Sequence, residues 1–288
     1  MNIRFAKEPS RAVLCLLAAL LGIVTAVAQT QVKLTKNKYQ PAQDVELGRK
    51  AAAEIEKQVK ILPDAEVTSY VQRVGQRLVR AIPLNYQHSE FQYDFKVVVD
   101  NSINAFALPG GPMYVNTGMI TAAGTEGQMA GVMAHEISHV ALRHGTAQAS
   151  KQEKWQYGAL AGQIAGAIIG GGAGTLIQQG TGTGIGMYLL KYSREFESEA
   201  DIVGAQTLAR AGYNPNDLAN MFRTIEKQGG GRAPQWLSSH PNPDNRYRRI
   251  EQEAALLRVA RPAADSGDFS RIQTRVRKLA PPKSAYKR

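Results

Sequence analysis

The chain has 288 residues, 43% of them hydrophobic and 20% charged, with a formal net charge of +11. That length buries a real core in one large or two small domains, and the composition excludes a disordered or collagen-like chain. The basic excess is spread out, with Arg4, Lys7 and Arg11 at the start and several Lys and Arg residues after Arg258. It reads as a solvated surface with some attraction to anionic lipid, and no nucleic-acid partner is expected.

Arg4, Lys7 and Arg11 precede an apolar centre, Ala12 to Val27, which ends in the small-x-small site Ala26-Val27-Ala28. These three parts predict a secretory signal peptide over residues 1–28, cleaved after Ala28, and a periplasmic location. The rival is a membrane anchor kept over residues 12–27, but the run is at the short end for a span. The single cysteine, Cys15, follows Leu14 and not a small residue, so a lipidated cysteine is not expected. The mature chain then has no thiol for a disulfide or a metal, and any metal must be held by His and carboxylate.

Residues 29–43 are polar and irregular and read as a linker, ahead of a domain over 44–260. Leu47, Ala51, Ile55 and Val59 at spacing four predict a helix from Asp44 to Val59. Asp64 is a candidate N-cap for a second helix, with Val67, Val71, Val74 and Leu78 on its apolar face. Phe95 to Val99 reads as a strand. Asn104-Ala105-Phe106-Ala107 and Met113-Tyr114-Val115-Asn116 flank Pro109-Gly110-Gly111-Pro112, which predicts two short strands and a tight turn. A short helix is expected over Thr117 to Ala123.

Thr125 and Gln128 make a capping-box pattern, and Gly145 is a natural terminator, so a helix is predicted from Glu126 to His144. Eleven glycines fall between positions 158 and 186, a stretch read as a close-packed or mobile excursion near the active site, open to contact with the membrane surface, with a membrane span as the alternative. Ser193 caps a helix running to Ala211 and closed by Gly212. Asn214-Pro215 opens another, carrying Leu218, Phe222 and Ile225. A Pro-bracketed loop, Ser238 to Pro243, leads into a final helix ending near Val259. The basic residues 261–288 contain Pro and few large apolar groups, and read as a poorly ordered tail.

The chemistry is concentrated in His135-Glu136-Ile137-Ser138-His139, inside the apolar run Met129 to Leu142. Two imidazoles four residues apart share one helix face and can grip one divalent ion, with Glu136 placed to polarise a water beside it. Two His and a Glu on a buried face are costly without a cation. A catalytic zinc takes a third protein ligand from another element. The best segment is Ser193 to Asp201, where Glu197 and Asp201 share one face and Glu195 and Glu199 another. The first face continues to Ala205 and Leu208 and is favoured; the second continues to Val203. His144 and His88 have no such context and are expected at the surface.

The HEISH motif followed by Glu-x-x-x-Asp within SREFESEAD resembles the HtpX and CAAX-prenyl-protease family of zinc metallopeptidases. Asn-Ala-Phe-Ala-x-Pro-Gly-Gly before the motif and Ser-Ser-His-Pro after it also match, over roughly Asp44 to Val259. The match is best to a soluble periplasmic branch of that family concerned with outer-membrane assembly. The resemblance implies an α+β, mostly helical, zincin-type domain with a small β-sheet or hairpin whose edge strand flanks the active-site helix. It implies one Zn2+ held by His135, His139 and Glu197, with Asp201 accepting from the other ring nitrogen of His135. It further implies His240 as a regulatory fourth ligand that keeps the enzyme latent, and Arg246 as an active-site cation able to stabilise an oxyanion. It favours Asn104, Ala105, Phe106 and Ala107 as a substrate-binding edge, where composition alone leaves a plain core hairpin equally open.

The expectation is a zinc metalloendopeptidase with Glu136 as general base, acting on misfolded or unassembled envelope proteins. Candidate partners are those substrates, the outer-membrane assembly machinery and the membrane surface. The rival in another class is a chaperone or assembly factor that keeps zinc for structure. Members of the resembling branch carry a helical repeat domain after the peptidase; the short tail here leads to the expectation of a stand-alone peptidase.

Overall fold

The computed structural model describes residues 29–151, 192–228, 236, 240, 246–259, 262 and 267–279. The predicted signal peptide and the glycine-rich stretch 158–186 lie outside them. Helix α1, Pro41–Ile55, starts earlier than expected because Pro41 fits the first helical position and Gln40 and Gln43 cap each other across the first turn. Leu47, Ala51 and Ile55 bury its inner face. In α2, Ala65–Ala81, the Asp64 carboxylate accepts from the Val67 N–H, and Val67, Val71, Val74 and Leu78 point into the main core as their spacing requires.

Three strands follow: β1 Asp94–Val98, β2 Ala105–Ala107 and β3 Pro112–Asn116. The order is β1-β3-β2, with β1 parallel and β2 antiparallel to β3. Gly110 and Gly111 turn the β2–β3 hairpin at φ of 75° and 129°, a region closed to most side chains. The outer edge of β1 is covered, since Leu62 N–H donates to Val97 and Val99 N–H to the Lys60 carbonyl. Among the described residues, β2 is the edge with no further strand beside it.

A short α3, Thr117–Ala122, leads into α4, Glu126–Ala141, whose N-cap Thr125 accepts from the Gln128 N–H. The reciprocal bond expected of Gln128 goes one residue further back, to the Gly124 N–H. Helix α4 is the central element. It packs on α6, Arg194–Ala211, and on α7, Asp217–Gln228, and also touches α2 and β2. Gly131 lets α7 approach closely, because a Cβ there would lie 2.8 Å from the Leu218 backbone. Helix α8, Arg246–Leu256, packs across α6. Among the described residues no helix is long and apolar enough to cross a membrane. The α+β, mostly helical class is as expected.

The structure corrects three local readings. The helix carrying the motif ends at Ala141, not at His144: Arg143 adopts a left-handed φ of 59°, and a new helix, α5, begins at His144 and runs to Lys151. The turn is held by the Arg143 guanidinium, which donates to both Asp44 carboxylate oxygens at 2.7 and 3.1 Å and to the Tyr39 carbonyl at 2.6 Å. The supposed linker is tied down before α1 begins. Thr30 bonds to Glu253 and Gln206, Val32 exchanges two backbone bonds with the Tyr86 hydroxyl, and Asn37 donates to Thr146.

The basic tail contains a last helix, α9, Asp268–Leu279, which buries Phe269, Ile272 and Val276 in the main core. Its few apolar residues fall at spacings of three and four, so one stripe suffices to dock it. Gln273 anchors it by donating to the Ile120 and Ala123 carbonyls. Ile272→Ala should therefore cost about 2–4 kcal/mol in a denaturant titration, the range for a core truncation. A loosely attached tail would lose less than about 0.5 kcal/mol, the surface range.

Candidate metal centre

Helix α4 presents His135 and His139 one turn apart, both buried, with their Nε2 atoms 3.0 Å from each other. Helix α6 brings Glu197 from its first turn, where Ser193 caps the helix by accepting from the Phe196 N–H. Glu197 Oε1 lies 3.5 Å from His139 Nε2, and Oε2 lies 3.4 Å from His135 Nε2. His240 completes the group, its Nδ1 3.2 Å from His135 Nε2 and 3.0 Å from Glu197 Oε1. One ligand atom from each of the four residues falls within 4.8 Å of all the others.

These spacings test whether a cation fits. Tetrahedral zinc with bonds of about 2.0–2.1 Å needs ligand atoms roughly 3.3 Å apart, and the observed separations bracket that value. The donor set also points to a cation. Three ring nitrogens and a carboxylate face one centre, each imidazole nitrogen carries at most one proton, and Glu197 Oε2 is buried without a properly directed hydrogen bond. Imidazole and carboxylate donors in a buried site therefore suit a divalent metal.

Behind the ligands lies a second layer of charge. His135 Nδ1 is 3.0 Å from Asp201 Oδ1, a close ion-pair approach whose angle falls short of a directed hydrogen bond. Asp201 in turn accepts a bidentate pair from Arg246, Nε to Oδ2 at 2.8 Å and Nη2 to Oδ1 at 2.7 Å. Arg246 is only 1% exposed, and its Nη1 lies 3.2 Å from Glu197 Oε2 and donates to the His240 carbonyl at 3.3 Å. Its guanidinium packs 4.4 Å over the Phe222 ring. These contacts turn Arg246 onto the ligand supports, which makes it a positioning group for Asp201 and Glu197, in contrast to the oxyanion role expected from the sequence.

The ionisation follows from these neighbours. Burial alone would lower the His135 pKa, but Asp201 and Glu197 outweigh it and raise it to about 9 against the protein groups alone. Burial likewise opposes charge on Glu197, yet His240, His135 and His139 hold it well below the usual carboxylate range. Asp201 is depressed against its burial by Arg246 first and His135 second. His139 is pushed well below the usual imidazole value by burial and by the charge of His135. Glu197 and Asp201 are thus held ionised, with Glu197 facing the point where a cation would sit.

Glu136 is also buried, beside the ligands. Its Oε1 accepts from the indole Nε1 of Trp236 at 3.0 Å and lies 3.3 Å from His240 Nε2. The Trp236 ring stacks on the His240 ring, with centroids 4.9 Å apart and planes 18° off parallel. His240 thus bridges the metal-ligand cluster and Glu136, one ring nitrogen toward each.

The predicted residues His135, Glu136, His139, Glu197, Asp201, His240 and Arg246 therefore come together. The strand residues Asn104 to Ala107 lie on the sheet edge beside α4, with Asn104 and Ala105 buried and Phe106 and Ala107 half-buried. Four neighbours escaped sequence reasoning. Trp236 stood as a lone aromatic in a polar stretch, four residues before His240. Tyr192 stacks on His139 at 4.1 Å and 14°. His144 is buried, with its Nδ1 2.9 Å from His139 Nδ1 and its Nε2 3.0 Å from Glu199 Oε2. Its expected surface position is wrong because the break at Arg143 folds it back onto His139. His88 is half-buried as well, with Nε2 3.0 Å from the Ala141 carbonyl at the end of α4.

The chain is similar to several known proteins. The chain is 28% identical to the beta-barrel assembly-enhancing protease of Yersinia pestis over 286 residues, covering 91% of this chain and 57% of that protein. It is 29% identical over 223 residues to the protein of that name from Escherichia coli (strain K12), covering 75% and 45%. It is 30% identical over 192 residues to the metalloprotease YcaL of Escherichia coli (strain K12), covering 66% and 74%. The chain spans about half the length of the beta-barrel assembly-enhancing proteases it matches. The sequence pattern described as peptidase family M48 matches residues 65–254, a range that includes the four residues of the candidate metal cluster. The chain belongs to peptidase family M48, a family of metallopeptidases.

Proposed function

We propose that the chain is a zinc-dependent endopeptidase that cuts unfolded or unassembled cell-envelope proteins in the periplasm and is held latent by His240. The observation that carries the reading is the convergence of His135, His139 and Glu197 on one centre with Glu136 beside it. His135, His139 and Glu197 would hold the ion, which supplies Lewis acidity and lowers the pKa of a water. Glu136 takes the proton of the attacking water and returns it to the leaving amine. Asp201 fixes the tautomer of His135, and Arg246 holds Asp201 and Glu197 in register. The outer edge of β2 would take an extended peptide by strand addition, a mode that reads backbone and tolerates many sequences.

Latency is supported by the position of His240. One ring nitrogen sits where a fourth ligand would, and the other faces Glu136, so both groups a water needs are occupied by the same side chain. The periplasmic setting rests on the signal-peptide pattern. The setting of beta-barrel assembly comes from the names of the relatives and is carried over as part of this proposal. A second reading is a chaperone or assembly factor with a structural metal, and the closed four-donor set favours it, since structural sites keep no open position.

Glu136→Gln separates the two readings. It should retain one zinc per chain and the wild-type melting temperature while cleavage of an unfolded protein falls by about 10²–10⁴; a purified variant cutting at the wild-type rate removes Glu136 from the chemistry. His240→Ala should raise cleavage of the same substrate by opening the fourth position, and a drop or no change argues against the latch. Arg246→Met leaves Asp201 buried without its cation and should cost about 3–5 kcal/mol in chemical denaturation.

A further inference from the structure

Among the described residues, no carboxylate faces His139 Nδ1 directly. His135 reaches Asp201 directly through Nδ1, whereas His139 Nδ1 faces another imidazole, His144, at 2.9 Å. His144 is buried, stacked on Phe196 with centroids 4.3 Å apart and planes 9° off parallel, and its second nitrogen lies 3.0 Å from Glu199 Oε2. Both of its ring nitrogens are committed.

Proton placement along this line is forced once His139 Nε2 offers its lone pair to the ligand centre. The His139 proton then sits on Nδ1 and donates to His144. His144 Nδ1 must accept and so carries no proton, which leaves its proton on Nε2, where Glu199 accepts it. The backbone is arranged for this contact. Arg143 takes a left-handed φ, rare for a residue with a side chain, and the Asp44 and Tyr39 bonds to its guanidinium hold it there. A helix continuing past Ala141 would carry position 144, five residues after His139, off its face.

We infer that His144 and Glu199 form a positioning relay for His139, fixing its tautomer and ring orientation as Asp201 does for His135. The inference rests on the metal-centre reading above. The acceptor is a neutral ring that passes the demand on to a carboxylate on α6, so the two helices that supply the ligands also brace each other behind them.

The test is zinc retention by the purified full chain in competition with a chelator, read together with the melting temperature of the zinc-free protein. His144→Phe keeps the stacking on Phe196 but removes the acceptor, and should weaken zinc binding on the order of 10- to 100-fold, the range for loss of such a support. His144→Asn, whose Oδ1 can accept from His139 Nδ1, should recover part of that loss. Retention by His144→Phe at the wild-type level overturns the relay, as does an equal loss in both variants. If His144→Phe does not fold, Glu199→Ala carries the test: several-fold weaker retention supports the relay, and unchanged retention overturns it. In two-bond ¹H–¹⁵N spectra of the zinc-loaded protein, His139 should carry its proton on Nδ1 and His144 on Nε2; a proton on His144 Nδ1 is incompatible with it. The controls keep the two readings apart. Failure of the wild type to bind zinc, or retention by His135→Ala equal to wild type, defeats the metal centre itself; normal zinc in both wild type and His144→Phe defeats only the relay.

Discussion

A buried carboxylate needs a cation or a directed donor, and three of them, Glu136, Glu197 and Asp201, are buried together near the crossing of α4 and α6. Taking each out of water is costly unless its charge is met within a few ångströms. Arg246 answers Asp201, the imidazoles answer Glu197, and the Trp236 indole answers Glu136. The rest of the fold follows from keeping these partners in place. Helix α8 sends Arg246 inward from its first turn. Helix α7 backs the site with Phe222, whose ring lies under that guanidinium. The small sheet meets α4 through β2, the edge with no further strand beside it among the described residues.

The sequence made the centre of this arrangement legible and left its surroundings obscure, for a physical reason. His135 and His139 share a face because helical periodicity places residues four apart together, and Glu197 and Asp201 are sorted from Glu195 and Glu199 by the same rule. Such relations are local and survive any tertiary arrangement. The contact of His144 with His139 is not of that kind. It depends on one residue, Arg143, leaving the helical region because of a carboxylate ninety-nine positions away. The same holds for Trp236 on Glu136, one hundred residues apart in the chain. Arg246 could be singled out by resemblance, but its role as a support for Asp201 needs the bidentate geometry to be seen.

The ends of the domain were misread through composition. Residues 29–40 are polar and lack periodicity, yet their backbone is held by Tyr86, Gln206 and Glu253, bonds that carry no signature in the segment itself. Helix α9 looks solvated because most of its residues are polar or charged, yet a stripe of Phe269, Ile272 and Val276 is enough to dock it. Mean polarity hides a narrow apolar stripe; the spacing of its members reveals it.

The open edge of the sheet has a consequence in time. Strand β2 is three residues long, so it offers only a few outward N–H and C=O groups to a guest chain. Each such bond contributes about 0.5–1.5 kcal/mol net in water, which makes a brief hold. A segment that folds or finds its own partner would not return to such an edge, whereas a chain that stays extended would return repeatedly. On the proposed reading, discrimination between a protein in the course of folding and one that has failed to fold then needs no recognition of sequence at all. It is set by the ratio of two rates, the escape of the guest from β2 and the withdrawal of His240.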